Sequence, residues 1–405
     1  MVKRTISFSP PDITELEIEE VANALRSGWI TTGPRTKELE RQLASYCNTN
    51  KMVCLSSATA AEELNFRILG VGPGDEVIVP AYTYTATASA AIHVGATVKF
   101  IDSQKDSFEM DYQQLADAIT EKTKAVIPVD LGGVMCDYDT IKDVVLKKNT
   151  IFRPMNPIQD ELHRCAILSD CAHALGARRK GFMAGSPSVC DFASYSFHAV
   201  KNFTTAEGGA ATWSPFKCIS DDDLYHKYQL LSLHGQSKDA LQKTQLGAWE
   251  YDVIAPLYKC NMTDIMAAIG LVQLKRYPDM IKRRHQLIRR YDKMSQELGL
   301  SYLIHEGDDF SSSGHLYLSR IPGITESQRN EIIVKMAEQG ITCNVHYKPL
   351  PMMTAYKALG WKISDFPNAY DYYHNLISLP LHTRLTDEDQ EYIIYNYSDI
   401  VKKYV

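Results

Sequence analysis

The segment SYSFHAVKNFTTAEGGAA, residues 194 to 211, holds the densest run of reactive side chains in the chain. Within it Lys201 follows a strand-like run and sits in a loop with apolar neighbours that closes on Gly208 and Gly209. An amine beside an apolar wall loses part of its preference for the charged form, and a neutral lysine attacks carbonyls. Alone, a loop lysine is far more often a solvated surface charge. The preceding strand changes that balance. In AILSDCAHALGA, Asp170 ends an apolar run and His173 follows it closely. A carboxylate so placed can hold the protonated ring nitrogen of a planar cofactor; by itself it would read as a turn or cap aspartate.

Two further segments carry complementary chemistry. LSSATAAEEL, residues 55 to 64, leads from a strand through small residues into a helix with Ser57 as its N-cap. Small side chains let a phosphate reach the free N–H groups of the first turn, where the helix dipole also favours an anion. PAYTYTATASA places Tyr82 and Tyr84 where the next strand ends. Either ring could lie flat on a planar group, or pack between sheet and helix as buried tyrosines commonly do.

These residues need a scaffold, and the pattern around them supplies one. MVCLSS, EVIVPAY, TVKFID and KAVIPVDL read as strands, separated by the helical runs AAEELNFRIL, ATASAAIHV and YQQLADAI. Such alternation implies right-handed crossovers and a largely parallel sheet between helices, with ligands at the carboxyl ends of its strands. CAILSD, SVCDFASYSF and GGAATW extend the sheet to seven strands. Ahead of it, TELEIEEVANAL is an amphipathic helix with Thr14 as N-cap, Glu17 completing a capping box, and Ile18, Val21, Ala22 and Leu25 on one apolar face. After about Gln245 the pattern changes to two helical runs, MTDIMAAIGLVQLKRY and IKRRHQLIRRYDKMSQEL, then strand-like HLYLSRI and ITCNVHY and a terminal helix. The expectation is an α/β fold with a large domain over residues 1–245 and a smaller α+β domain over 246–405.

Composition excludes several classes. The 405 residues are 45% hydrophobic and 23% charged, and no run is long and apolar enough to span a bilayer. A net charge of −6 argues against a nucleic-acid partner. The start of the chain turns acidic before any signal-like run, so a cytoplasmic location is expected. Nine scattered cysteines without a C-x-x-C pair suit a reducing compartment and indicate neither disulfide framework nor zinc site; no metal is expected.

Together the motifs resemble the DegT-type (DegT/StrS) nucleotide-sugar aminotransferases, of the fold-type I group of pyridoxal phosphate (PLP) enzymes. SGWITTGP resembles the family's N-terminal loop, SSATAAEELNFRILGVGPGDEVIVPAYTYTATASA its phosphate loop and aromatic segment, SDCAHALGA its aspartate strand and SFHAVKNFTTAEGGA its lysine loop. YKCNMTDIMAAIGLVQL and GITCNVHYKPL resemble two C-terminal signatures, so the likeness spans nearly the whole chain. The resemblance implies that Lys201 is the Schiff-base lysine and proton carrier and that Asp170 pairs with the pyridine nitrogen. His173 would lie beside the ring, Tyr84 would cover it, and Ala58, Thr59 and Ser196 would hold the phosphate. Asn261 would reach the phosphate from a second subunit, making a homodimer obligatory. Thr32 in the GWITTGP loop, His234 and His346 would line the sugar entrance.

The implied reaction moves an amino group from L-glutamate to a nucleotide-linked keto-deoxysugar, commonly a UDP- or dTDP-4-keto-6-deoxyhexose, for amino-sugar and surface polysaccharide assembly. A related sugar dehydratase needs histidine where Lys201 stands. An aminotransferase acting on a cyclitol shares the same residues, and a non-catalytic sugar-binding regulator would have no need of Asp170 and Lys201 together. Two segments depart from the family pattern: VDLGG, residues 129 to 133, and KKNTIFRPMNPIQDELHR. Neither is expected to touch the catalytic pair.

Overall fold

Alternating apolar runs and helical stretches fold, in a computed structural model that describes residues 4–238 and 250–405, into a layered α/β structure. The boundary expected at residues 245/246 lies outside the described residues. The helices that matter below are α1 (Glu15–Arg26), α2 (Pro34–Tyr46), α3 (Ala58–Leu69), α4 (Thr85–His93), α5 (Tyr112–Ala118), α6 (Tyr138–Lys147), α7 (Pro157–Leu162), α8 (Asp221–Ser232) and α9 (Asp264–Glu297). The strands are β1 (Met52–Leu55), β2 (Glu76–Pro80), β3 (Thr97–Ile101), β4 (Thr123–Val126), β5 (Ala166–Asp170), β6 (Arg178–Arg179), β7 (Phe182–Met183), β8 (Phe192–Ser196), β9 (Gly209–Trp213), β10 (Ser301–Tyr302), β11 (Phe310–Ser311), β12 (Tyr317–Arg320) and β13 (Leu376–Leu379).

The main sheet has seven strands in the order β1-β9-β8-β5-β4-β2-β3, as the sequence pattern leads one to expect. Its pairings are parallel except at β9, which runs antiparallel to both β1 and β8. Strands β1, β2, β5 and β8 therefore point the same way, and their carboxyl ends share one edge. Their interiors are nearly all apolar and buried, as strands covered on both faces must be. A second sheet, β10-β12-β13, carries a separate apolar core built from residues 287–401 together with Ile6; β11, β6 and β7 form a short ribbon.

The two helical runs expected after residue 245 are one 34-residue helix, α9. Pro278 removes one backbone donor from it but does not end it. The first half of α9 buries Ala267, Leu274 and Tyr277 in the main core, and the second half buries Leu287, Ile288 and Tyr291 in the C-terminal core. ITCNVHY forms only isolated bridges, Ile341 to Ile6 and Asn344 to Ser378, while the C-terminal sheet takes β13 instead. In α1 the capping box of Thr14 and Glu17 is present, but the buried residues are Glu17 and Ala24. Glu17 accepts from Arg276 at 2.6 Å and from Gln273 at 3.0 Å, both on α9, whereas Ile18 and Leu25 are exposed. Among the described residues no helix is long and apolar enough to cross a membrane.

Candidate active site

A cavity of about 360 Å³ opens at the shared carboxyl edge of β1, β2, β5 and β8. Asp170 closes β5 and is 5% exposed. Thr87 Oγ1 on α4 donates to its Oδ2 at 2.8 Å, and the Ala172 backbone N–H donates to its Oδ1 at 3.0 Å. Lys201 lies in the loop between β8 and β9, its backbone N–H donating to the His198 carbonyl at 2.9 Å. Burial pushes its amine down to about 8 against the opposing pull of Asp170. The result is a lysine with a substantial neutral fraction near physiological pH and a fixed anion nearby.

The floor of the cavity is the start of α3. Ser57 caps the helix by accepting from the Ala60 N–H, which leaves the Ala58 and Thr59 N–H groups without intrahelical partners. Gly209, the first residue of β9, passes so close that a Cβ there would lie 2.4 Å from Ala58 N. Only glycine lets that strand approach the helix terminus. Ser196 ends β8 beside it, so backbone donors and a hydroxyl converge where an anion would sit.

His173 is held from both sides. Its Nδ1 accepts from the Gly132 N–H at 3.2 Å, so the ring proton is on Nε2, which faces the Tyr347 hydroxyl at 3.1 Å. Burial, then Lys201 and His346, pushes the His173 imidazole well down, and it stays neutral. Gly132 belongs to VDLGG, and the neighbouring Asp130 N–H donates to the Asp170 carbonyl at 3.1 Å. Contrary to expectation, that departing segment does touch the catalytic neighbourhood.

Ala58, Thr59, Tyr84, Asp170, His173, Ser196, Lys201 and His346 all line this one cavity. Tyr84 is 57% exposed with its ring 5.7 Å from that of Tyr347, whereas Tyr82 is buried and donates to the His346 carbonyl at 2.7 Å. Tyr82 is thus part of the framework and Tyr84 part of the wall. Burial, then Lys201, pushes His346 down to about 3. Thr32, His234 and Asn261 do not line this cavity. Asn261 donates to Thr32 and accepts from Lys259, and Thr32 donates to the Met262 carbonyl. His234 is exposed, with its backbone N–H donating to Tyr258.

Thr87, Tyr347 and Glu62 were not singled out by sequence reasoning, and all three bear on the site. Glu62, on α3, lines the cavity although it is only 4% exposed. Burial, then the adjacent Asp170 carboxylate, pushes its carboxyl well up. The only sequence signal was a double acid, Glu62 and Glu63, in a run otherwise apolar and small.

The family described as DegT/DnrJ/EryC1/StrS aminotransferase matches residues 11–397. This chain belongs to that family. Its DegT/DnrJ/EryC1/StrS relatives include the spore coat polysaccharide biosynthesis protein SpsC of Bacillus subtilis, 37% identical over 406 residues and covering 98% of this chain and 97% of the relative. They also include a UDP-4-amino-4-deoxy-L-arabinose–oxoglutarate aminotransferase of Shewanella sediminis, 34% identical over 96% of this chain and 97% of the relative. Among solved structures, the putative sugar aminotransferase Spr1654 from Streptococcus pneumoniae in its PMP form matches with a TM-score of 0.96 at 56% identity, covering 99% of this chain and 100% of that one. Its PLP form matches with a TM-score of 0.95 at 54% identity, again over 99% and 100%.

Proposed function

We propose that this chain is a PLP-dependent aminotransferase that moves an amino group from L-glutamate to a nucleotide-linked keto-deoxysugar, of the UDP- or dTDP-4-keto-6-deoxyhexose class. The observation that carries the reading is the meeting of Lys201, Asp170 and the open N-terminus of α3 in one cavity. The donor set fits the cofactor: a nucleophilic amine, a carboxylate and a phosphate-sized backbone cradle that a Cβ at position 209 would fill. The PLP and PMP forms of Spr1654 and the nucleotide-sugar name of the Shewanella relative support it.

PLP, when bound, supplies a carbonyl that takes up and returns the amino group and a ring that accepts the electron pair released at the donor Cα. Ala58, Thr59 and Ser196 would hold its phosphate, Asp170 would keep the ring nitrogen protonated, and Tyr84 would cover the ring. Lys201, neutral for part of the time because of its burial, would take the proton from the donor Cα and deliver it to the C4′ carbon of the cofactor. Neutral His173, held by Gly132 and Tyr347, would lie beside the ring. His346 would contact the sugar nucleotide at the entrance, and Thr32 and His234, which do not line this cavity, would reach it only from a second copy.

The site is completed in a homodimer. Pro11, Ile13, Ile18, Val21, Ala199 and Ala206 line an open apolar cavity of about 330 Å³ on the outer surface, beside the lysine loop. A second copy covers that face and brings Asn261 to its partner's phosphate. We read the main and C-terminal cores as a large and a small domain dividing near residue 245, and place the enzyme in the cytoplasm, in surface polysaccharide assembly.

The visible spectrum of the purified protein tests this directly. The band of lysine-bound PLP should form in the wild type, fall when L-glutamate is added as the pyridoxamine band rises, and never form in Lys201→Ala. No band with excess PLP would overturn the reading; a band indifferent to glutamate would overturn the donor.

A further inference from the structure

Glu62 has no place in the chemistry just described, yet its side chain points into the same cavity as Asp170. Its Oε2 is buried without any partner, and its Oε1 has only the Ser194 hydroxyl at 3.4 Å. Among the described residues no cation pairs with it. Two buried carboxyl groups that line one cavity and repel one another do not both ionise readily, so they share a proton. Asp170 already receives two donors, from Thr87 and Ala172, whereas Glu62 receives one long contact. The shared proton therefore resides on Glu62.

We propose that Glu62 is a positioning residue, a neutral carboxylic acid that donates to Asp170 and thereby sets how strongly Asp170 draws on the cofactor's ring proton. An ionised carboxylate offers about four acceptor positions. Thr87 and Ala172 occupy one on each oxygen of Asp170, Glu62 occupies a third, and one is left for the ring nitrogen. Each donor withdraws charge from the shared acceptor, so Glu62 moderates the basicity of the group that keeps the ring cationic. The proposal rests on the reading of this cavity as a PLP site, and it concerns a group that reading leaves unused.

Two measurements test it, one without cofactor. The infrared difference spectrum between wild-type apoprotein and Glu62→Gln at neutral pH should contain the C=O stretch of one buried protonated carboxyl, carried by the wild type. In the holoenzyme loaded with ring-15N PLP, Glu62→Leu fills the same space but removes the donor. Its ring-nitrogen signal should move towards the value of unprotonated pyridine, because Asp170 then pulls harder on the proton. Glu62→Gln, an uncharged donor of the same shape, should restore the wild-type signal. Absence of the infrared band, or a Glu62→Leu nitrogen signal equal to that of the wild type with both variants melting normally, overturns the proposal. Failure of the wild type to bind PLP would instead overturn the functional reading, while the infrared result would still decide where the proton lies.

Discussion

An amine must be uncharged to attack a carbonyl, and burial brings Lys201 to that condition near pH 8. The rate at which added PLP becomes attached should therefore rise with pH and level off above about 8, as stopped-flow absorbance would record. A rate flat from acid to alkaline pH would remove the free amine as the controlling group. Asp170→Asn keeps the side-chain shape but replaces the anion by an amide that cannot hold a ring proton. It should retain PLP while turnover falls by at least about 100-fold, on the scale of lost electrostatic stabilisation in a dry site. Unchanged turnover would mean that the ring nitrogen is served by another group. Lys201 and Asp170 were legible in the sequence because Asp170 ends a recognisable strand and Lys201 follows another in a loop that closes on two glycines. Thr87 and Tyr347 were not. Thr87 lies in a run of small residues, ATASAAIHV, where nothing local marks it, and Tyr347 reaches His173 across 174 positions of sequence. Contacts of that kind depend on how distant elements pack, which periodicity does not encode.

At the scale of elements, α2 begins at Gly33, which offers no capping side chain. Asp264 of α9 takes that role from outside. Its carboxylate accepts from the N–H groups of Gly33 at 2.8 Å, Arg35 at 3.1 Å and Thr36 at 2.9 Å, and from the Thr36 hydroxyl at 2.7 Å. An anion at a helix N-terminus also meets the positive end of the dipole. Removing it leaves several buried donors unpaired, so Asp264→Ala should destabilise the fold by about 2–4 kcal/mol in urea unfolding. A loss below about 1 kcal/mol would show that water replaces the carboxylate easily. The same contact ties the 29-to-33 loop, with Thr32, to the start of α9 next to Asn261. The helical periods of α1 and α9 were visible in the sequence. Two features were not: Pro278 was compatible with a break that the continuous packing of α9 on both cores prevents, and the apolar stripe of α1 gave no sign that its polar side, through Glu17 and Arg276, would be the side turned inward.

For the whole molecule, that inversion is the strongest argument for a second copy. A helix whose acid is 1% exposed while its Ile18 is 53% exposed is folded the wrong way round for a lone protomer. It is correctly placed if Ile13, Ile18 and Val21 meet the same face of a partner. In a two-fold interface each substitution acts twice. Losing the burial of one isoleucine on both sides weakens association by about 3–6 kcal/mol, on the order of a hundredfold or more in the dissociation constant. Ile18→Lys combined with Val21→Lys should therefore sediment as a monomer at micromolar concentration where the wild type is a dimer, with α-helical content unchanged. If Asn261 serves the partner's phosphate, the monomer should also bind PLP more weakly, and Asn261→Ala should weaken PLP while the dimer persists. A double-lysine variant that stays dimeric would place the interface elsewhere. A monomer that binds PLP as tightly as the dimer would confine the whole phosphate site to α3, β8 and the lysine loop of a single chain.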